Sequence, residues 1–184
     1  PGQSIADRLR AQGYTEDAVA RLDSRHEFRA PLDVGPVRIT PFAVGRLTLY
    51  SDDFSEFRAA NGFTDDESSR LWGSAGVTFS TSFNRVYNGV SSKFWNLNRL
   101  RHIIEPSATI WTAASNIDSE SLPVYDESVE SLAEGTAFRV GVTSTMQTKR
   151  GGPGAWRNVD WLVLRAEYVY ATDDTTRESA VGRF

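Results

Sequence analysis

Several ingredients of common active sites and membrane anchors are missing from this sequence. Among its 184 residues there is no cysteine, which excludes disulfides, thiolate metal sites and a cysteine nucleophile. No apolar run approaches the ~18 residues of a membrane-spanning helix. The formal net charge is −4, whereas a nucleic-acid-binding protein usually presents a basic face. We therefore expect no helical membrane span and no nucleic-acid partner.

A hydrophobic pattern with a period of two runs through most of the chain from residue 25 onward. In residues 37–50, Ile39 and Leu47 fall on one side, while Arg38 and Arg46 fall on the other. Because successive side chains of a strand point to opposite faces, this alternation predicts one apolar wall and one mixed, polar wall. The same pattern predicts strands at 25–34, 37–51, 76–83, 104–111, 136–148 and 161–171.

The length of these segments indicates the kind of sheet. Several exceed the usual strand of about 5 to 6 residues and reach the roughly 9 to 11 residues of a transmembrane strand. The sequence thus predicts an all-β fold, a segment of an antiparallel transmembrane β-barrel with about six long strands in an up-and-down meander. A short helical or irregular lead-in over residues 1–23 precedes this incomplete barrel domain at 24–184, with Ser4 as its N-cap and a second helical piece near Thr15 and Glu16.

The connections between the predicted strands differ in length and charge. Gly35-Pro36, 87–98 and 149–158 are short or basic, whereas 52–69 and 116–135 are long and acidic. Outer-membrane barrels have short periplasmic turns and longer external loops. They also carry aromatic girdles at the two membrane interfaces. The aromatic residues assigned to such a girdle are Tyr50, Trp72, Trp95 and Trp156.

The polar wall carries most of the candidate functional residues. In a barrel this wall faces a hydrated lumen, where the side chains tune what passes. Arginine suits phosphate because its planar guanidinium can bind bidentately, so a path for an anionic glycan is one interpretation and a charge-balanced lining is the other. The predicted lumen residues are Arg38, Arg46, Glu105, Arg139, Arg165 and Glu167.

The stretch "RHIIEP" contains one of only two histidines in the chain. His102 and Glu105 are three apart, so a strand places them on opposite faces, which argues against an acid–base pair or a metal site. We interpret His102, Ile104, Glu105 and Pro106 as the entry of a strand into the membrane. No catalytic residue, metal site or cofactor is expected, and the chain is not expected to be an enzyme.

The order of these features resembles the barrel domain of the LptD family of outer-membrane proteins for lipopolysaccharide (LPS) assembly, also called organic solvent tolerance protein, OstA. The resemblance rests on "RLDSRHEFRAPLDVGPVRITPFAVGRLTLY", "LRHIIEPSATIW", "LPVYDES" and "GTAFRVGVTSTMQTK", in that order. Its most specific piece is Ile104-Glu105-Pro106. The resemblance covers about residues 20 to 172 and implies an internal slice of the barrel, since the family's periplasmic jelly-roll, its disulfide cysteines and most of its strands do not appear.

The resemblance implies a translocon in the bacterial outer membrane. The sugars of LPS would pass through the polar lumen, and the lipid would leave sideways into the membrane. It also implies the partners: LPS, outer-membrane lipid, an LptE-like plug lipoprotein and periplasmic LPS-bridge proteins. Two alternatives stay open on the residues alone, namely another porin or transporter barrel and a soluble carbohydrate-binding β-sandwich module with Trp111 or Trp161 as stacking residues.

Overall fold

The computed structural model describes residues 4–14, 18–64, 66–126, 128–132 and 134–172. Helix α1 spans Ile5–Ala11 and α2 spans Ser55–Asn61. The strands are β1 (Arg21–Arg29), β2 (Leu32–Val34), β3 (Val37–Tyr50), β4 (Ser69–Thr81), β5 (Phe83–Ser92), β6 (Leu97–Ser115), β7 (Gly135–Arg150) and β8 (Arg157–Ala171). Neither described helix is long and apolar enough to cross a membrane.

All eight strands form one antiparallel sheet with the order β1-β3-β4-β6-β7-β8, which confirms the all-β, up-and-down prediction. β2 pairs with β3 in the same register as β1. From Phe83 to Tyr87, β5 pairs with β6 in the same register as β4, and the register shifts between Tyr87 and Ser91. Eight strand segments therefore fill the six positions of the predicted meander. Within the described part of the chain the sheet is not closed, because β1 pairs only with β3 and β8 only with β7.

The break between β1 and β2 has a simple cause in the sequence. It falls at Ala30 and Pro31, beside Thr40 and Pro41 of β3. Proline has no N–H to donate to the ladder, so pairing lapses where two prolines meet. The sequence predicted a bulge or weak point at Pro41, and the structure has an interruption there with the register unchanged.

Some predicted boundaries were wrong. β1 begins at Arg21, inside the predicted lead-in. The short strand predicted at 76–83 is part of a longer stretch made of β4 and β5. Residues 87–98 are mostly strand, and the connecting turn is limited to residues 93–96, because β5 continues to pair with the first half of β6. The acidic segment after β3 contains helix α2, which the alternation could not indicate.

The N-terminal helix begins as its sequence predicts. Ser4 caps α1 by accepting a hydrogen bond from the Asp7 amide at 3.1 Å, and the Asp7 carboxylate accepts from the Ser4 amide at 3.2 Å. The chain then turns through Gly13, whose φ of 81° favours glycine. A Cβ at this position would lie 2.5 Å from the Cα of Phe57 in α2. The second helical piece predicted at Thr15 and Glu16 lies outside the described residues, as do residues 173–184.

Two loops, 51–68 and 116–134, pack over one end of one side of the sheet. We call this side the covered face; it carries Arg46, Tyr50 and Trp72. The other side is the open face, and the two ends of the strands are the loop end and the turn end. Small apolar clusters lie beneath the loops, one around Tyr50, Phe54, Ile117 and Leu122 and another around Trp72, Ala113 and Leu132. The buried core is thus concentrated at the loop end of the covered face.

Candidate functional site

The two faces of the sheet differ row by row across the strands. On the open face, one row of directly paired residues is wholly apolar: Ile39, Phe79, Ala108, Val140 and Tyr168. The neighbouring row is apolar as well: Pro41, Val77, Ile110, Phe138 and Tyr170. Most of the large side chains in these rows are exposed. Soluble monomers rarely expose contiguous apolar patches of more than a few hundred Å², and such patches mark surfaces that contact membrane, ligand or another protein.

The rows between them, on the covered face, are polar. One holds Thr40, Thr78, Thr109, Arg139 and Val169. The next holds Arg38, Ser80, Ser107, Gly141 and Glu167. Hydroxyl groups of Thr78 and Thr109 are 3.1 Å apart across the strands, and Arg139 forms an ion pair with Glu167 at 3.4 Å. The middle of the covered face is therefore a wall of hydroxyl and charged groups.

The loop between β6 and β7 is fastened to this face by a buried carboxylate. Glu130 is 0% exposed, and its Oε1 accepts hydrogen bonds from Arg21 Nη1 at 2.7 Å and from the Tyr50 hydroxyl at 3.1 Å. Its Oε2 accepts from the Asp126 amide at 2.7 Å. A buried carboxylate is costly unless it is paired and hydrogen-bonded, and here both oxygens are satisfied. We call this group of Arg21, Tyr50 and Glu130 the loop latch.

Two buried arginines hold the loops through main-chain carbonyls. Arg70 of β4 is 1% exposed and donates to the carbonyls of Val129 at 3.1 Å and of Glu130 at 2.8 Å, and also to that of Leu132. Arg58 of α2 donates to the carbonyls of Ser121 and Glu67. A guanidinium offers five donors in a fixed fork, so each arginine gathers several loop carbonyls at once.

Arg46, one of the predicted lumen residues, lies under the same loop. Its guanidinium bonds both oxygens of Asp23 at 2.7 Å, and it also donates to the carbonyl of Ser128. In the same loop, the pKa of the Asp126 carboxyl lies below its ordinary value of 3.8. The main cause is hydrogen bonding from the hydroxyl and the amide of Ser128, and the charge of Arg21 adds a smaller effect. At the loop end, Arg46 therefore joins β1, β3 and the loop, and it is not open to a solute in this arrangement.

The remaining predicted lumen residues lie on the covered face away from the loops. Glu105 is in the same row as Thr143 and Arg165. Arg139 and Glu167 contact each other, as described above. Arg38 lies at the turn end, where it is exposed and bonds Asp33 bidentately at 2.8 and 3.3 Å. The six residues thus share one face but are spread over four places on it, namely Arg46, the row of Glu105 and Arg165, the pair of Arg139 and Glu167, and Arg38.

Two of the four predicted girdle residues require correction. Tyr50 and Trp72 are each 7% exposed, on the covered face beneath the loops, so they do not face outward. The prediction considered only their position near the ends of strands. The alternation of side chains along β3 and β4 places both of them on the covered face. Trp95 and Trp156 are 59% and 49% exposed at the turn end, and their girdle role stays a prediction.

The "RHIIEP" stretch lies in the middle of β6, with strand on both sides of it. His102 and Ile104 belong to the open-face register, whereas Glu105 belongs to the covered face, as the spacing predicts. His102 Nε2 is 2.8 Å from the Ser144 hydroxyl of β7, which gives it a cross-strand structural contact. Pro106 is opposite Val142 in an uninterrupted register. The predicted strand start at residue 104 is wrong, since β6 begins at Leu97, and the entry of this strand into the membrane at the "RHIIEP" stretch stays a prediction.

Sequence reasoning missed a fully charged row of side chains along β1. The covered-face residues of this strand are Arg21, Asp23, Arg25, Glu27 and Arg29. Glu27 is paired with both Arg25 and Arg29. The signal was present in "RLDSRHEFR", where every second residue is charged, but placing the strand start at residue 25 concealed the first two members.

The described residues offer no metal-binding group, since no three histidine or carboxylate side chains come together among them. Trp111, which the β-sandwich alternative needs as a stacking residue, is buried against Ala137, Phe42 and Val169. In the described part of the chain there is also only one sheet. The described residues provide a wall with an apolar side and a polar side.

A single antiparallel meander with an apolar open face and a polar covered face is the pattern found in the wall of outer-membrane β-barrels. A family model described as "LptD: LPS transport system D" matches residues 2–144. The chain belongs to the LptD family, whose members are outer-membrane proteins with a role in LPS transport. A search of curated proteins finds no match to the chain.

Proposed function

We propose that this chain forms part of a barrel wall along which LPS is carried to the cell surface. The glycan would move along the covered face, and the open face would lie against membrane lipid. The lipid part of LPS would leave sideways into the membrane. The chain would act without catalysis and without a cofactor. Its environment would be the bacterial outer membrane, with the loop end toward the cell exterior, because outer-membrane barrels carry their longer loops there.

The observation that carries this proposal is the contrast between neighbouring rows of the sheet. Phe138, Val140 and Val142 alternate along β7 with Arg139, Gly141 and Thr143. An apolar row costs free energy in water, at about 25 cal/mol per Å² of exposed apolar area, and a charged row is costly in hydrocarbon. A wall between lipid and a hydrated channel suits both rows, and this supports the proposal.

Membership in the LptD family also supports a proposal about the proteins with which the intact protein works. A wall with open edges at β1 and β8 needs further strands, since unpaired backbone groups are not tolerated in the hydrocarbon layer. We propose that the intact protein works with an LptE-like plug lipoprotein and with periplasmic LPS-bridge proteins. None of the side chains described above is assigned to these contacts.

Photo-crosslinking in the intact protein tests the proposal. A crosslinking amino acid would be placed at Arg139 or Arg165, and separately at Val140 or Leu164 as neighbouring controls on the opposite face. We expect LPS adducts carrying glycan from the first pair, and lipid adducts or none from the second. Equal glycan labelling from the two faces would contradict the proposal, as would an intact protein that stays soluble without detergent.

A further inference from the structure

A cavity of about 320 Å³ lies at the turn end, among β5, β6, β7 and β8. Its wall includes Asn84 and Val86 of β5, Arg101 of β6 and Gln147 of β7. Val86, Arg101 and Gln147 are paired in one row, and the uninterrupted β6–β7 register places that row on the covered face. The volume falls at the lower end of small-molecule sites, which span roughly 300–1,000 Å³.

Three cations line this cavity, namely Arg99, Arg101 and Lys149. Within the described part of the chain none of them forms an ion pair with a carboxylate, unlike Arg21, Arg38, Arg46 and Arg139 on the same face. The nearest acidic side chain in the row is Asp160, which accepts a hydrogen bond from Gln147 Nε2 at 2.8 Å. The cavity therefore has an excess of positive charge that its own walls do not neutralise.

The uncharged groups of the cavity point to a ligand with hydroxyls. Four amide side chains contribute to the wall, and each offers both donors and an acceptor: Asn84, Asn88, Gln147 and Asn158. Gln147 Oε1 is buried and accepts no hydrogen bond from any described group. The amide cannot be flipped to relieve this, because its oxygen would then face Asp160. A buried acceptor without a donor costs free energy, and a ligand hydroxyl would supply the donor after a small movement of the amide.

The backbone of β6 is irregular at the cavity. Arg99 has a φ of 59°, a left-handed conformation that is uncommon for a residue with a side chain. Its carbonyl accepts a hydrogen bond from the buried Thr148 hydroxyl at 3.0 Å. Three consecutive residues, Arg99, Leu100 and Arg101, contribute to the wall, at the place where the register between β5 and β6 shifts.

We propose that this cavity binds an anionic saccharide, with the three cations on a phosphate or carboxylate and the amides on sugar hydroxyls. Val86, in the same covered-face row as Arg101, supplies an apolar surface for the C–H side of a sugar ring. This inference rests on the proposed function and deepens it. If the turn end faces the periplasm, as the short turns of outer-membrane barrels do, a glycan would meet this cavity before the rest of the covered face.

Binding to the intact protein in detergent tests the inference with a defined probe. The probe is lipid-free, phosphorylated core oligosaccharide released from LPS by mild acid, and calorimetry measures its affinity. The same oligosaccharide after dephosphorylation, inorganic phosphate, and glycerol 1-phosphate as a phospholipid headgroup serve as comparison ligands. The variants are Arg101→Gln and Lys149→Gln, with Arg85→Gln as the matched control. Arg85 lies in β5 next to Val86, but in the open-face register.

We expect the phosphorylated oligosaccharide to bind about tenfold more tightly than its dephosphorylated form. Each cavity variant should lose about tenfold in affinity, which is the lower end of the loss expected when a hydrogen bond to a charged group is removed. Arg85→Gln should retain wild-type affinity. Wild-type affinity in both cavity variants would overturn the inference, as would phosphate or glycerol phosphate binding as tightly as the oligosaccharide. Crosslinking from Arg139 and Arg165 is a separate readout, so the cavity can fail while the proposed function stands.

Discussion

Gly76 of β4 lies in a crowded place in the sheet. A Cβ there would lie 2.5 Å from the Ile110 carbonyl oxygen and 2.6 Å from both the Phe42 ring and the Trp111 Cβ. Backbone on one side and two aromatic residues on the other leave no space to move into. We predict that Gly76→Ala lowers the free energy of unfolding of the intact protein by about 1–3 kcal/mol, the usual cost of overpacking, as measured by urea denaturation in detergent.

Gly45 provides the matched control for that substitution. It also lies within a strand, but nothing approaches its added Cβ within 4 Å. Gly45→Ala should be neutral or slightly stabilising, since alanine loses less conformational freedom on folding. If the two variants unfold alike, the close packing of β4 against Phe42 and Trp111 is contradicted.

Glu130 is the other single residue with a large expected effect. Replacement by glutamine removes the charge that Arg21 and the Tyr50 hydroxyl share. Hydrogen bonds to a charged group contribute about 1.5–3 kcal/mol, so we expect Glu130→Gln to loosen the loop and to speed its limited proteolysis. Glu120→Gln, at an exposed position in the same loop, should leave the cleavage rate unchanged. Equal rates in both variants would show that the loop latch is not what holds the loop.

At the scale of the element, the loop 116–134 should respond to acid. Because the folded-state pKa of Asp126 lies below its ordinary value of 3.8, this carboxylate stabilises the loop fully above that value. The contribution is lost as the pH falls through the lowered pKa. Val129 and Glu130 donate their amides to the Asp126 carbonyl, so their hydrogen exchange, followed from about pH 5 to about pH 2, reports the effect.

Ser128→Ala separates Asp126 from the other acids in that measurement. The Ser128 hydroxyl is the largest cause of the lowered pKa, so its removal should shift the loss of amide protection toward higher pH. A profile identical to that of the wild type would mean that Asp126 does not govern the loop. The loop as an element thus depends on short-range hydrogen bonds as well as on its buried latch.

For the whole molecule, the open sheet leads to a prediction about the isolated 184-residue chain. Both outer strands have a free edge in the described residues, and unpaired edges favour association with other chains. The open face adds a broad apolar surface. We expect the isolated chain to aggregate in aqueous buffer and to need detergent, as measured by size-exclusion chromatography with light scattering. A stable monomer without detergent would favour a soluble module.

The strands and their two faces could be predicted from the sequence, because alternation is a local property of neighbouring residues. Arg38, Arg46, Glu105, Arg139, Arg165 and Glu167 lie on one face for that reason alone. Whether a side chain on that face is exposed or covered by a loop could not be predicted from the alternation. Tyr50 and Trp72 are covered, and Arg46 is enclosed, because loops from elsewhere in the chain fold back over the loop end.

The sequence by itself therefore determined the sheet, its polarity and the family, since each follows from local periodicity or from ordered motifs. The tertiary structure alone decided the loop latch and the turn-end cavity. Arg21 and Glu130 are separated by 109 positions, and the cavity combines residues from four strands. Such contacts depend on how the loops close and how the strands register, and no local pattern of residues records either one.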